Sequence, residues 1–556
     1  MRLHALRWGG VAVTAALVLA PVGLVAYQSL LSEPFFNPGA HFDLGAFEYV
    51  LSDIDFWKAL LNTALVAAAM AVIAVPVGAV LAFVMARTDL PGRRWLEPLM
   101  LVPVFLSPVV IAFGYVVAVG PVGFFSLWAK QLAGFVPWNI YSLPGLALIA
   151  GLTHVPHVYL YASAALRSID PQVEEAARTM GASVWRVAFA VSLPLIRPAL
   201  VFSGVLVFFL GFELFGLPLV LGDPANITVL TTYLYKLTNL LGTPSYHLMA
   251  VVAIAIVVVT LPLVLIQRRL LGTAQRFATL RGKGAAPRLL PLGAWRWAAA
   301  ALVFAWLTVT IFVPLSGVIL RSLVTSWGEG VDILSVLTLE HFARLFEQPT
   351  LLRGIFNTVL IASIGGAASV AVYTAIALIG HRWPGPGAAL IDYLVLIPRA
   401  LPGLVAGLAF LWIFLFYKPL APLRETPASL WIAYTVVWMA YGLRLVSAVL
   451  LQVSPELEEA ARVAGAGEGR ALRDVTLPLV RFGLIGSWLL IFMIFCREYS
   501  TGVYLLGPGT ETIGALIVSL WGTGALDIIS ALSLVSVVII GAALALALRL
   551  GVRTHV

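Results

Sequence analysis

The sequence predicts an all-α membrane protein, and three observations support that prediction. Of the 556 residues, 61% are hydrophobic and 11% are charged, and the mean hydropathy is +1.00. Soluble domains average roughly 45–50% apolar and about 25% charged residues. Runs such as Leu61 to Ala86 and Ser530 to Leu548 carry no charge. About 20 apolar residues suffice for a helix to cross a bilayer, whereas a membrane barrel would show short alternating strands, so we expect helices.

Apolar runs predict about twelve membrane-spanning helices, six in each half of the chain. They begin near Trp8, Lys58, Leu99, Leu143, Arg197, Tyr246, Trp295, Leu352, Leu390, Leu430, Arg481 and Ile528. The first run reaches about Leu31 without a convincing cleavage site, so we interpret it as a retained helix. We therefore predict a first domain at 1–266, a basic linker at 267–294 and a second domain at 295–556.

Charge asymmetry predicts the orientation of these helices. Seven basic residues and no acid lie between 267 and 297, whereas five acids and no lysine or arginine lie between 32 and 57. The positive-inside rule places the first segment in the cytoplasm and the second outside. Alternation of the helices then places both chain termini in the cytoplasm. The net charge of +8 is explained by this topology and calls for no nucleic acid partner.

A pattern of 20 residues occurs twice, with its copies 284 positions apart. The first copy runs from Glu175 to Pro194 and the second from Glu459 to Pro478. In both copies Ala-Ala follows the glutamate, a glycine lies six positions after it, and Leu-Pro ends the pattern. Recurrence of so many fixed positions at one offset indicates that the protein consists of two copies of one unit.

Each copy lies in a polar loop between two apolar runs, at 168–196 and at 452–480. Asp170-Pro171 and Ser454-Pro455 combine an N-cap residue with a proline at the first helical position. The glycine of each copy suits a left-handed turn about one and a half turns later. We therefore predict a helix, a turn and a second helix in each cytoplasmic loop. Identical spacing around variable residues favours a binding role for the pair.

The pattern Glu-Ala-Ala, three residues, Gly, nine residues, Ile-x-Leu-Pro resembles the cytoplasmic loop of permease subunits of bacterial ATP-binding-cassette importers. Val191 and Val475 replace the isoleucine. The resemblance covers nearly the whole chain and implies two tandem six-helix domains of the MetI-like type in the bacterial inner membrane. It also implies two copies of an ATP-binding subunit, one on each coupling helix, and an extracytoplasmic substrate-binding protein. The implied docking residues are Glu175, Ala176, Ala177, Gly181, Glu459, Ala460, Ala461 and Gly465.

The sequence predicts no enzyme activity for this chain by itself. A phosphate-binding loop ends in Gly-Lys followed by Ser or Thr. Of the five lysines only Lys283 follows a glycine, and Gly284 follows it. We expect ATP and magnesium on the partner subunit and no cofactor on this chain. No metal-ligand pattern is evident, and we interpret His154 and His157, in an apolar run, as packing or polar helix contacts.

Several ionisable residues fall within apolar runs, where each costs about 2.5–3.5 kcal/mol on insertion scales and usually faces a cavity or a partner. Glu213 lies about 24 Å along a helix from Arg197, toward the outer side. Arg497 and Glu498 occupy the same region of the second half, and Arg399 is a further candidate. We expect them to line a translocation path. Glu213 and Glu498 against Arg497 leave an excess of negative charge, which favours a cation. The alternative is a structural set at the outer interface.

The predicted cargo is ferric iron. Phe212 to Pro218, Ile397 to Gly403 and Pro508 to Thr512 resemble the fused permeases of the ferric iron uptake branch. Thiamine, 2-aminoethylphosphonate and polyamine are alternative cargoes within the same importer class. The competing class is a twelve-helix secondary transporter. The segment from Arg87 to Arg94 resembles a loop of that class, but 381–387 does not repeat it, and such a transporter has no use for paired coupling helices.

The topology predicts which introduced cysteines a membrane-impermeant thiol reagent reaches from the periplasmic side. Cysteines at Ala285 and Thr554 should resist the reagent because both positions are predicted to be cytoplasmic. A cysteine at Phe42 should react. Mass spectrometry of labelled cells measures the modification, and the reverse pattern would contradict the assigned orientation.

Overall fold

The computed structural model describes residues 2–239, 244–277, 289–382, 390–391 and 393–550. Across these ranges the chain is helical, with three isolated β-bridges and no longer strand, so the predicted all-α class is confirmed. The part of the basic linker at 278–288 and the test positions Ala285 and Thr554 lie outside the described residues.

The first half is built from six helices that match its six predicted runs, together with the short helix of the first repeated loop. In chain order they are α1 (Arg2–Ser29), α2 (Ile54–Arg87), α3 (Pro108–Val119), α4 (Leu143–Ser168), α5 (Pro171–Thr179), α6 (Arg197–Glu213) and α7 (Tyr246–Phe277). The loop helix is α5.

The second half repeats this order with one helix more, because the counterpart of α4 is bent into two. Its helices are α8 (Gly293–Ser322), α9 (Pro349–Gly380), α10 (Gly403–Phe416), α11 (Pro427–Val437), α12 (Met439–Leu450), α13 (Pro455–Val463), α14 (Leu477–Arg497) and α15 (Leu526–Arg549). The helix of the second repeated loop is α13.

In the described ranges nine helices are long and apolar enough to span a membrane. The number rises to eleven when each of two bent helix pairs is counted as one further span. One pair is Val184–Leu195 with α6, bent by 72°, and the other is α11 with α12, bent by 67°. The remaining predicted run contains α10, which has only 14 residues. Pro402 accounts for this short helix, because proline disfavours helical geometry in the residue before it and supplies no N–H.

The two halves pack closely where α3 crosses α8. A Cβ at Gly114 would lie 2.4 Å from the carbonyl oxygen of Pro314, and a Cβ at Gly317 would lie 2.7 Å from that of Gly114. Small residues let helix backbones approach in a membrane, where van der Waals packing drives association. The Tyr115 hydroxyl also donates to the carbonyl oxygen of Val309 at 2.7 Å. These contacts join the halves into one continuous core.

A buried ion pair fixes the first repeated loop to the membrane helices. Arg87, the last residue of α2, donates from Nε to the two carboxylate oxygens of Glu174 in α5 at 3.0 and 2.9 Å, and its Nη2 also donates to this carboxylate. The two side chains are only 1% and 2% exposed. The Ser192 hydroxyl donates to the same carboxylate at 2.7 Å. One side chain thus connects α2, α5 and the turn that leads into α6.

Removal of Glu174 alone should destabilise the protein, because it leaves Arg87 buried without its partner. Breaking a buried pair costs about 3–5 kcal/mol, whereas replacing both partners by apolar residues is often neutral. We expect Glu174→Leu to lower the temperature at which the purified protein loses its monodisperse elution profile. The double variant Arg87→Met/Glu174→Leu should recover most of the loss. Exposed Glu175→Gln is the control, and equal stability of Glu174→Leu and Glu175→Gln would contradict the proposed anchor.

Candidate functional site

The two repeated loops contain the same helices and turns in the same order. α5 and α13 are shifted by 284 positions, and so are the π-helical turns that follow, at Ala188–Ser192 and Leu472–Thr476. The Asp170 carboxylate accepts from the Gln172 N–H at 2.9 Å, and the Ser454 hydroxyl accepts from the Glu456 N–H at 3.3 Å. The predicted N-caps and the helix-turn-helix form of both loops are therefore confirmed.

The glycines of the pattern are required by backbone conformation. Gly181 has φ +86° and Gly465 has φ +89°, and no atom lies within 4 Å of a Cβ built at either position. The N–H of Ala182 donates to the carbonyl oxygen of Ala177 at 3.1 Å, and Ala466 repeats this bond to Ala461 at 3.0 Å. A six-to-one bond of this kind closes a helix around a left-handed residue. The predicted left-handed turns are confirmed.

The predicted docking residues lie on the outer surface of the loops. Glu175 and Ala176 are exposed and Ala177 is half-buried, and Glu459, Ala460 and Ala461 repeat that order. Large apolar side chains are exposed beside them, with Met180 at 89% and Val463 at 90%. Exposed apolar side chains grouped on one loop are typical of a protein-binding surface.

Sequence analysis missed the residues that hold these loops in shape. Glu174, adjacent to the pattern, accepts from Ser192, and Glu458 accepts from the Thr476 hydroxyl, also at 2.7 Å. Each pair links the first helix of a loop to the turn after the second. A signal was present in the sequence, because an acid and a hydroxyl recur at the same offset of 284.

A cavity of about 310 Å³ lies between the two halves, and all four predicted pathway residues line it: Glu213, Arg399, Arg497 and Glu498. Glu213 ends α6 and Arg497 ends α14, so both lie at the helix ends far from the repeated loops. These two residues are equivalent at the offset of 284. Equivalent positions in the two halves thus place opposite charges on one cavity wall.

The cavity wall also contains His154, His157 and Arg444, which sequence analysis had not assigned to it. The two histidine rings are stacked with centroids 5.3 Å apart, and His154 Nδ1 lies 2.7 Å from the carbonyl oxygen of Ala150. The histidines therefore make the predicted helix contacts and also face the cavity. Their equivalents Trp438 and Tyr441 face it from the other half. In the described ranges no group of three or more His, Cys, Asp or Glu could hold a metal ion.

Glu498 and Arg497 are held by Trp438. The indole N–H donates to a carboxylate oxygen of Glu498 at 2.9 Å, while the Arg497 guanidinium lies 5.6 Å from the ring centroid. The Ser500 hydroxyl and the Thr501 N–H donate to the other oxygen of Glu498 at 2.9 and 3.0 Å. Arg497 also donates to the carbonyl oxygen of Val104, in the first half. These contacts fix the two charges in place and join the halves.

The charge of the cavity differs from the expected negative excess. Arg399 and Arg444 join Arg497 on the wall, so three arginines face two glutamates, Glu213 and Glu498. The guanidinium of Arg399 lies 5.9 Å from the centroid of the Phe209 ring, and its buried Nε has no hydrogen-bond partner. The expected excess counted only Glu213, Arg497 and Glu498. Arg399, a further candidate from the sequence, and Arg444, which was not predicted, reverse it.

Comparison with known proteins identifies the family. The family described as "Binding-protein-dependent transport system inner membrane component" matches residues 49–276 and 367–553. The ferric transport system permease protein FbpB of Actinobacillus pleuropneumoniae is 25% identical over 75% of this chain, which spans only 60% of that relative. A probable ABC transporter permease protein, y4fN, of Sinorhizobium fredii is 26% identical over 92% of this chain and 90% of its own length.

A smaller relative matches less than half of the chain. The molybdenum transport system permease protein ModB of Escherichia coli is 28% identical over 38% of this chain and 93% of its own length. The family match covers most of the chain and falls in both halves. This protein therefore belongs to the family of binding-protein-dependent transport system inner membrane components.

Proposed function

We propose that this chain is the membrane-spanning subunit of an ATP-driven, binding-protein-dependent importer. The observation that carries the proposal is the pair of exposed loops with one structure, each continuing into a helix that ends at the cavity between the halves. The first loop continues into α6, which ends at Glu213, and the second into α14, which ends at Arg497. Movement imposed on a loop would thus reach the cavity wall through one helix.

The partners follow from the two loops. Each loop presents its Glu-Ala-Ala helix and left-handed glycine to one ATP-binding subunit, so two copies bind on the cytoplasmic side. ATP and magnesium bind those subunits, and a substrate-binding protein delivers the cargo from outside the inner membrane. Both chain termini are on the cytoplasmic side in this arrangement. A secondary transporter, the competing class, would need neither of the two exposed loops.

Ferric iron is the cargo that the relatives favour. Two relatives carry ferric transport in their names. Besides the permease of Actinobacillus, the "Putative ferric transport system permease protein FbpB 1" of Haemophilus influenzae is 25% identical over 74% of this chain. Thiamine, 2-aminoethylphosphonate and polyamines are the alternatives within the same importer class.

Substitutions at the two left-handed glycines test the docking role. Gly181→Arg and Gly465→Arg each add a large charged side chain to the docking surface and strain a positive φ, so both should abolish uptake and cargo-stimulated ATP hydrolysis. Gly181→Asn should keep most activity, because asparagine adopts left-handed geometry more readily than other residues with a side chain. ATP hydrolysis by the complex in liposomes gives the measurement. Normal coupling in both arginine variants, with normal insertion, would refute docking through these loops.

Uptake by the reconstituted importer tests the cargo. The permease, its ATP-binding subunits and its binding protein are placed in liposomes, and entry of radioactive ferric iron is followed with and without ATP. We expect accumulation of iron that requires ATP and the binding protein. Parallel assays with thiamine, 2-aminoethylphosphonate and spermidine are the comparison. If one of these compounds is taken up and iron is not, that compound is the cargo in place of ferric iron. Uptake of iron that does not require ATP would favour a secondary transporter.

A further inference from the structure

The cavity carries an excess of positive charge that the protein does not neutralise. Three arginines and two glutamates line it, which leaves one positive charge when all five are ionised. In the described ranges Arg399, Arg444 and Arg497 form no ion pair within 4 Å. A cavity built for a bare trivalent cation would be expected to have the opposite balance, because charged walls concentrate ions of the opposite sign.

Arg399 and Arg444 are the two arginines that segments other than α14 contribute to the cavity wall. Both line the same cavity, as does Glu213. Arg444 lies one turn closer along α12 to the second repeated loop than Tyr441 does. Two guanidinium groups that face one cavity carry like charges and repel each other. An anion placed between them would remove that repulsion.

Arg399 also has unused hydrogen-bonding capacity. Its Nε is buried and has no hydrogen-bond partner. A buried donor without an acceptor destabilises the protein, and more so when the group is charged. The Phe209 ring, 5.9 Å from the guanidinium carbon, provides a cation–π contact but no acceptor atom. An oxygen of a ligand would complete this site.

The carboxylates of the wall do not supply that oxygen. Glu498 accepts hydrogen bonds from Trp438, Ser500 and Thr501, so both of its oxygens are already engaged. Glu213 lies on the wall, and none of the ion pairs among the described residues joins it to Arg399. The acids therefore offset part of the positive charge and leave the donors of Arg399 available.

We propose that the cavity binds a small oxyanion between Arg399 and Arg444. The planar guanidinium presents parallel N–H donors that match two oxygens of such an anion, with stronger bonds than neutral donors form. This inference rests on the proposed importer function and refines its cargo. The oxyanion is either the cargo itself or a ligand that crosses together with the ferric ion and lowers its charge. Glu213 and Glu498 keep the affinity low enough for release, which transport requires.

Binding of molybdate and of inorganic phosphate to the purified complex of permease and ATP-binding subunits tests the site without transport. Equilibrium dialysis at constant ionic strength, with chloride as the reference anion, gives the dissociation constant. A charge-assisted hydrogen bond contributes about 1.5–3 kcal/mol, so Arg399→Gln and Arg444→Gln should each weaken binding about tenfold or more. Arg399→Lys and Arg444→Lys should lose less, because they keep the charge. Arg296→Gln is the matched control, since Arg296 is exposed and stacks on Trp297 outside the cavity.

Uptake into liposomes then separates the two sources of the oxyanion. Accumulation of radioactive molybdate or phosphate without iron identifies the oxyanion as cargo. If added phosphate increases ferric iron uptake, and increases it less in Arg399→Gln and Arg444→Gln, the oxyanion is a companion ligand of the iron. Either result supports the site.

Two results would overturn the site. One is the absence of saturable binding of either anion to the wild-type complex, and the other is equal affinity in the wild type and both glutamine variants. If either of these results is found while ATP-driven iron uptake proceeds, the oxyanion site fails and the importer function stands. If anion binding depends on the two arginines but no ATP-driven uptake of any tested cargo occurs, the importer function fails while the site stands.

Discussion

The carboxylate of Glu174 holds the first repeated loop to the membrane helices, and the rest of the arrangement depends on that connection. It accepts from Arg87 at the end of α2 and from Ser192 at the turn into α6, so the loop cannot rotate independently of either helix. Glu458 and Thr476 repeat the second of these links in the other loop. A docking surface connected in this way can pass a displacement to α6 and α14.

The cost of placing charge in hydrocarbon explains why the ends of those helices meet. Glu213, Arg497 and Glu498 would each be expensive against lipid, and the structure turns all of them toward one cavity. Trp438 engages both Arg497 and Glu498, and Arg497 reaches Val104 across the boundary between the halves. The charged wall therefore contributes to assembly of the halves and also gives the cavity its electrostatic character.

Duplication has preserved the loops more closely than the cavity. The loops share their caps, left-handed glycines and acid–hydroxyl bonds. At the same offset, Glu213 corresponds to Arg497, and the pair His154 and His157 corresponds to Trp438 and Tyr441. The proposed docking of two copies of one ATP-binding subunit would require the two loops to stay alike.

The sequence by itself determined the all-α class, the two-fold repeat, the loop capping and the left-handed glycines, since each depends on local composition, spacing or backbone geometry. It also identified Glu213, Arg399, Arg497 and Glu498 as residues that need a cavity or a partner. Only the tertiary structure added Arg444 to this set, which makes three arginines against two glutamates and reverses the expected charge balance. It likewise paired Glu174 with Arg87, 87 positions away. Such contacts join segments distant in the chain, and no periodicity within one helix encodes which side chains will meet.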